Sequence, residues 1–177
     1  MQENSCNFSD VRPVILPLAY PPIQINKKNQ ACANMLSVDY CGAVSEMSAI
    51  TQYINNEIYL SAEKCPVAKI ILGIAMAEMI HLQKLGEMIY LLGGSVDFVS
   101  RQRDGRRWVW SPQCLTLPRQ TREILMAGIE SEKAAINQYE MHRKMITDTS
   151  VNAVLARIIK DEEYHIMLLQ AMLKELS

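Results

Sequence analysis

Two Glu-x-x-His motifs stand far apart in the chain, Glu78 with His81 and Glu162 with His165. In a helix, residues three apart lie on one face, so the carboxylate and the imidazole of each motif could reach a single point. Mixed carboxylate and imidazole ligands suit iron or manganese, and zinc is possible. The motifs therefore indicate a metal site built by two helices.

Each motif is preceded by nearly the same nine-residue segment. Residues 45–53 read SEMSAITQY and residues 131–139 read SEKAAINQY, with six identical positions, and the shared glutamates are Glu46 and Glu132. The segment's glutamate precedes the motif's glutamate by 32 residues in the first half and by 30 in the second. A single Glu-x-x-His is weak support for a site, but two matched halves indicate that a whole helix pair is duplicated.

The spacing also predicts that these side chains lie at one depth. In a helical hairpin, residues equally far from the turn lie side by side. Each glutamate and its motif are centred on a predicted turn, SAEKCP near residue 63 or TDTS near residue 148. Buried carboxylates without partners are costly, so four of them together predict two cations. The candidate metal ligands and catalytic residues are Glu46, Glu78, His81, Glu132, Glu162 and His165.

Four stretches have the composition of long helices. They span residues 36–60, 66–92, 120–146 and 151–175. Residues 95–119 contain prolines and tryptophans without a helical period, and form a long connection. This order predicts an all-α fold, a ferritin-like four-helix bundle with a long crossover between helices two and three.

Prolines divide the chain into two parts. Residues 1–35 include VRPVILPLAYPPIQI, which predicts an extended arm lying against its own bundle or a partner. Residues 36–177 form the bundle.

Composition excludes several classes of protein. The net charge of −1 gives no support for nucleic acid or anionic membrane partners. We find no signal peptide and no apolar run near the ~20 residues of a membrane span. The five cysteines form an odd set without a CxxC pair, which indicates a reduced, cytoplasmic protein.

The segments SEMSAITQY, AEMIH, SEKAAINQY and DEEYH resemble those of the ferritin-like superfamily, and more closely its rubrerythrin and manganese-catalase branches. The opening YPPIQI is similar to the start of manganese-catalase-type spore-coat proteins. The resemblance implies two Fe or two Mn ions per chain. Glu46 and Glu132 would each bind one ion, Glu78 and Glu162 would bridge both, and His81 and His165 would each cap one.

The same resemblance implies an oxidoreductase acting on hydrogen peroxide or dioxygen. Rubrerythrins carry a further glutamate where this chain has Ala135, and the chain lacks the CxxC pairs of a rubredoxin module. A peroxidase would therefore need an external electron donor protein. A ferroxidase, or a non-catalytic metal-binding coat protein, stays open as an alternative. We expect a homodimer.

Several other residues have two interpretations. Tyr53 and Tyr139 could orient ligands or be core tyrosines, and Asp161 could hold a ligand histidine or face solvent. We predict that His142 is a surface residue. The basic run RQRDGRRW at 101–108 could bind an anion or a donor protein, but such a run is more often a solvated loop.

Overall fold

A computed structural model describes residues 6–102 and 104–176 of the chain. Its helices are α1 (Gln30–Cys41), α2 (Glu46–Ser61), α3 (Cys65–Leu91), α4 (Thr121–Met145) and α5 (Thr149–Glu175). Short turns join α2 to α3 and α4 to α5, and the long crossover joins α3 to α4. The predicted all-α four-helix bundle with a crossover between its second and third long helices is confirmed.

The predicted first helix, 36–60, is instead two helices. α1 ends at Cys41 and α2 begins at Glu46. Gly42 occupies the break, where a Cβ atom would lie 2.5 Å from the carbonyl oxygen of Val38. The helical pattern of residues 36–60 continues across Gly42, so the sequence alone predicted no break there.

The extended arm lies against its own bundle. It ends before Gln30, earlier than the predicted boundary at residue 35. Residues 1–5 of the predicted arm lie outside the described part of the chain. The Val14 amide donates to the Gly73 carbonyl of α3 at 2.8 Å. A Cβ at Gly73 would lie 2.6 Å from the Val14 side chain, so glycine permits this close approach. Arg157 of α5 donates to two further carbonyls of the arm.

One pair of cysteines contradicts the prediction of a fully reduced protein. Cys6 in the arm forms a disulfide with Cys65 at the start of α3. The partners are 59 residues apart, and only the path of the arm brings them together. Cys32, Cys41 and Cys114 are free.

The crossover contains a small antiparallel hairpin, β1 (Val99–Arg101) and β2 (Arg107–Val109), followed by a single 3₁₀ turn at Pro112–Cys114. The basic run at 101–108 forms this hairpin, and its Arg103 lies outside the described residues. Two of its arginines are paired locally. Arg101 binds Asp97 at 2.8 Å and Arg106 binds Asp104 at 2.6 Å.

By length and composition, α3 could cross a membrane, alone among the helices of the described residues. One such helix is weak support for a membrane span, because its apolar residues are interrupted by Lys69 and Glu78. Core helices of soluble proteins pass the same test, and 44% of the apolar stretch is buried inside the bundle. Two of the predicted ligands, Glu78 and His81, belong to α3 and are buried against the other helices.

Candidate metal centre

The six predicted ligands come from four helices and meet inside the bundle. None is more than 3% exposed. Glu46 is on α2, Glu78 and His81 are on α3, Glu132 is on α4, and Glu162 and His165 are on α5.

Their ligand atoms form two overlapping groups, and within each group the atoms lie within 4.8 Å of one another. The first group is Glu46, Glu78, His81 and Glu162, and the second is Glu78, Glu132, Glu162 and His165. Glu78 and Glu162 belong to both groups, one from each half of the chain. Two groups that share two carboxylates have the form of a dinuclear site.

Both histidines turn Nδ1 toward this cluster. His81 Nδ1 lies 2.8 Å from a Glu78 oxygen and 3.2 Å from a Glu162 oxygen. His165 Nδ1 lies 3.2 Å and 3.0 Å from oxygens of the same two glutamates. The ring centroids are 6.1 Å apart. Each ring therefore faces both shared carboxylates from its own side.

The outer nitrogen of each ring has a different partner. His165 Nε2 donates to the Val14 carbonyl of the arm at 2.7 Å. Because a carbonyl can only accept, the neutral ring has its free lone pair on Nδ1, facing the cluster. His81 Nε2 lies 3.3 Å from Asp161 Oδ2, which fixes the ring in the same way. Asp161 thus takes the first of its two predicted roles, holding a candidate ligand histidine.

Three other groups hold the Asp161 carboxylate. They are the Tyr20 hydroxyl at 2.7 Å, the Leu16 amide at 2.8 Å and the Arg157 guanidinium at 2.6 Å. Burial acts against ionisation, but the hydrogen bonds from His81 and Arg157 outweigh it and lower the pKa of Asp161. Asp161 is therefore an anion beside His81.

The two tyrosines of the repeated segments are buried, and each binds a glutamate of the other half. The Tyr53 hydroxyl donates to Glu132, and the Tyr139 hydroxyl donates to Glu46. Both interpretations of these residues are correct at once, since each tyrosine is in the core and holds a candidate ligand. The crossed pattern follows from the way the two hairpins face each other.

Burial dominates the protonation of the outer glutamates. It raises the pKa of Glu132 to about 8, helped by the neighbouring Glu78 and Glu162 carboxylates. Burial and the same neighbours also raise the pKa of Glu46. For Glu78, burial is outweighed by the adjacent His81 and His165, which lower its pKa. Without metal, Glu46 and Glu132 therefore tend to stay protonated, and bound cations would displace these protons.

The donor set fits a pair of divalent ions. Glu78 Oε1, Glu162 Oε2 and His165 Nδ1 are buried, and they face one another at 3.0–3.2 Å without a well-formed hydrogen bond. Such orphaned atoms are rare in native proteins unless an ion or water completes them. Four carboxylates would balance the charge of two divalent cations. The assignment of the six residues as ligands remains a prediction that this geometry supports.

The prediction that His142 is a surface residue is wrong. It is only 5% exposed, and its Nδ1 lies 2.8 Å from Asp39 Oδ2 of α1. The sequence contains no signal for this contact. The position that matches His142 in the first half is Asn56, and Asp39 lies outside the repeat.

A small cavity reaches the cluster between α2 and α4. Its volume is about 10 Å³, measured as the space open to the centre of a water molecule. This is room for about one water molecule. Its wall includes Asp39, Val44, Ser45, Gln138 and four glutamates of the cluster.

A sequence profile of the rubrerythrin family matches residues 42–173. No curated protein sequence matches the chain. The fold is similar to a manganese catalase from Anabaena, with a TM-score of 0.81 and 21% identity over 92% of this chain and 81% of that one. It is also similar to a bacterioferritin from Mycobacterium tuberculosis, with a TM-score of 0.69 and 23% identity over 85% and 88%. These similarities confirm the ferritin-like fold.

Proposed function

Because the chain belongs to the rubrerythrin family and buries two overlapping groups of ligand residues, we propose that it is a dinuclear iron or manganese oxidoreductase acting on hydrogen peroxide or dioxygen. Peroxide removal is the proposed reaction. The observation that carries this proposal is the sharing of Glu78 and Glu162 by both groups, beside a cavity with room for about one water molecule.

Each residue has a distinct task in this proposal. Glu46 with His81 would hold one ion, and Glu132 with His165 would hold the other. Glu78 and Glu162 would bridge them. The bound pair supplies a two-electron redox change close to both oxygens of a small substrate. Tyr53 and Tyr139 fix the outer glutamates, and the narrow cavity excludes larger substrates.

The source of electrons separates two forms of the reaction. A catalase needs no reductant, because a second peroxide supplies the electrons. A peroxidase would need an external electron donor protein. We propose that the enzyme works in the cytoplasm as a homodimer.

The test begins with metal content, measured on protein purified without chelators. We expect about two iron or manganese ions per chain, and fewer in Glu132→Ala. The loaded protein should consume hydrogen peroxide. Oxygen release without a reductant would identify a catalase, and turnover only with a reductant would identify a peroxidase. Absence of metal after anaerobic loading, or absence of peroxide turnover in the loaded protein, would contradict the proposal.

The similarity to bacterioferritin favours a second candidate, a ferroxidase or an iron-handling or coat protein. In that case Fe(II) would be the substrate. Size-exclusion mass separates the candidates, since a large cage indicates iron storage and a dimer indicates an enzyme.

A further inference from the structure

A second buried acid–base pair lies beside the metal centre without belonging to it. Asp39 of α1 is 1% exposed, and its Oδ2 atom lies 2.8 Å from His142 Nδ1. Its Oδ1 atom accepts from Gln138 Nε2 at 2.8 Å. Gln138 also donates to the Val44 carbonyl at 2.9 Å, which holds the amide in place. The carboxylate therefore has one orientation, with an imidazole on one side.

The pair lies in the wall between two spaces. Asp39 lines the small cavity that reaches the glutamates. His142 lines an open depression of about 330 Å³ on the outer side, together with Arg101 and Met141. Gln138 lines both spaces. A chain of two titratable groups thus connects the exterior with the cavity.

We propose that Asp39 and His142 form a proton-transfer route between solvent and the cavity at the metal centre. This inference rests on the proposed peroxide chemistry. Reduction of one hydrogen peroxide to two waters takes up two protons and two electrons. In a catalase, the electrons come from a second peroxide, which becomes dioxygen and releases two protons. In a peroxidase, the electrons come from an external reductant and the protons come from solvent.

Each proton follows the hydrogen bonds. A solvent proton binds His142 Nε2 in the depression, and the Nδ1 proton passes to Asp39 Oδ2. Asp39 then gives the proton to a water or substrate molecule in the cavity. Reorientation of the imidazole about both of its side-chain bonds then presents the protonated nitrogen to Asp39 and restores the starting state.

The surroundings of Asp39 suit this task. Burial raises its pKa, although hydrogen bonds from His142 and Gln138 act in the opposite direction. The carboxylate can therefore hold a proton nearer to neutral pH than a solvated aspartate can. Four titratable or charged groups lie around the pair, Cys32 of α1, Tyr139 of α4, Arg101 of β1 and Asp104 of the hairpin loop. The small cavity adds the four cluster glutamates, Glu46, Glu78, Glu132 and Glu162.

The experiment compares Asp39→Asn and His142→Ala with the control Met141→Ala, which changes an exposed side chain of the same depression. Metal content and the midpoint of thermal unfolding are measured first. We expect both test variants to keep two ions and to lose about 100-fold in kcat for peroxide. Added imidazole should restore at least a tenth of the wild-type kcat to His142→Ala and nothing to Asp39→Asn. The control should match the wild type.

Infrared titration of the metal-free protein gives a readout independent of turnover. The difference between the wild-type and Asp39→Asn spectra should contain one carboxylic acid band that appears as pH falls, separate from the bands of Glu46 and Glu132, and this band should shift in His142→Ala. If His142→Ala does not fold, His142→Gln replaces it and should show the same loss of kcat.

Unchanged kcat and pH profile in both test variants would overturn the route. Loss of metal, or a loss of kcat that imidazole does not repair in His142→Ala, would assign the pair a structural role and overturn it too. If the metal-loaded wild-type protein does not turn over peroxide, the proposed function is wrong, and the proton route that rests on it is wrong too. An active wild type keeps the two failures distinct.

Discussion

The two halves of the bundle carry matching ligands but approach them differently. In the second half, α4 runs without interruption from Thr121 through Glu132. In the first half, the chain breaks at Gly42, and α2 begins only at Glu46. Ser45 caps the new helix by accepting from the Ser48 amide, so the break is satisfied locally. The two halves of the duplication thus supply matching ligands, while the break at Gly42 changes the chain around the ligand of the first half.

The break is also where the cavity reaches the cluster. Val44 and Ser45, two residues of the interruption, line that cavity beside Asp39. An uninterrupted helix in the first half would leave no loop at this point. The loop of the first half therefore forms one wall of the access to the candidate centre, and α4 of the second half forms another.

The two candidate ligand histidines also differ in the group that binds their outer nitrogen. His81 is held by the Asp161 side chain, which comes from the opposite half, whereas His165 is held by the Val14 backbone carbonyl of the arm. A carboxylate partner makes an imidazole a stronger ligand than a carbonyl partner does. The two proposed metal positions would therefore have matched ligands and unequal affinities.

The largest expected effect tests what the halves share. Glu78→Ala and Glu162→Ala should each lose both ions, because each residue is proposed to bridge them. Metal analysis after anaerobic loading measures this, with Glu130→Ala as the exposed control on α4. Two ions retained in either bridging variant would show that its glutamate does not bridge.

The next effect tests where the halves differ. Asp161→Asn should weaken one metal position by about 10- to 100-fold, because His81 loses its anionic partner. Competition with a chelator should then resolve one weakened and one unchanged ion. Tyr20→Phe is the matched control, since it removes another hydrogen bond to Asp161 and leaves the Asp161 carboxylate beside His81. Equal weakening of both ions would contradict the assigned asymmetry.

The arm gives a third test. Cys6→Ser should lower the free energy of unfolding by about 2–4 kcal/mol, because the disulfide restricts the unfolded chain. Urea unfolding with and without a thiol reductant measures this. Reductant should destabilise the wild type and leave Cys6→Ser unchanged. Cys114→Ser, which alters a free cysteine, should keep the sensitivity to reductant, and its loss there would contradict the Cys6–Cys65 pairing.

The smallest expected effect tests whether the matching tyrosines of the two halves are equivalent. Tyr53→Phe and Tyr139→Phe should each cost about 1 kcal/mol, because each removes one buried hydrogen bond to a glutamate. Thermal unfolding of the two variants should give similar shifts. Clearly unequal shifts would show that the crossed tyrosines are not equivalent.

The bundle, its crossover and the grouping of six side chains could be predicted from the sequence. Helical periodicity and the Glu-x-x-His spacing are local properties, and the repeat extends them across the chain. The break at Gly42 could not be predicted in this way, because a single glycine in a helical pattern does not show that the chain changes direction there. The burial of His142 could not be predicted either, because it depends on which helix packs against its side of α4.

By itself, the sequence determined the residue types that meet and the depth at which they meet, since both follow from spacing along helices. Only the tertiary structure decided the outer partners. Tyr53 binds the glutamate of the opposite half, Val14 binds His165, and Cys6 binds Cys65. These contacts join segments far apart in the chain, and they depend on how the arm and the two hairpins pack in space.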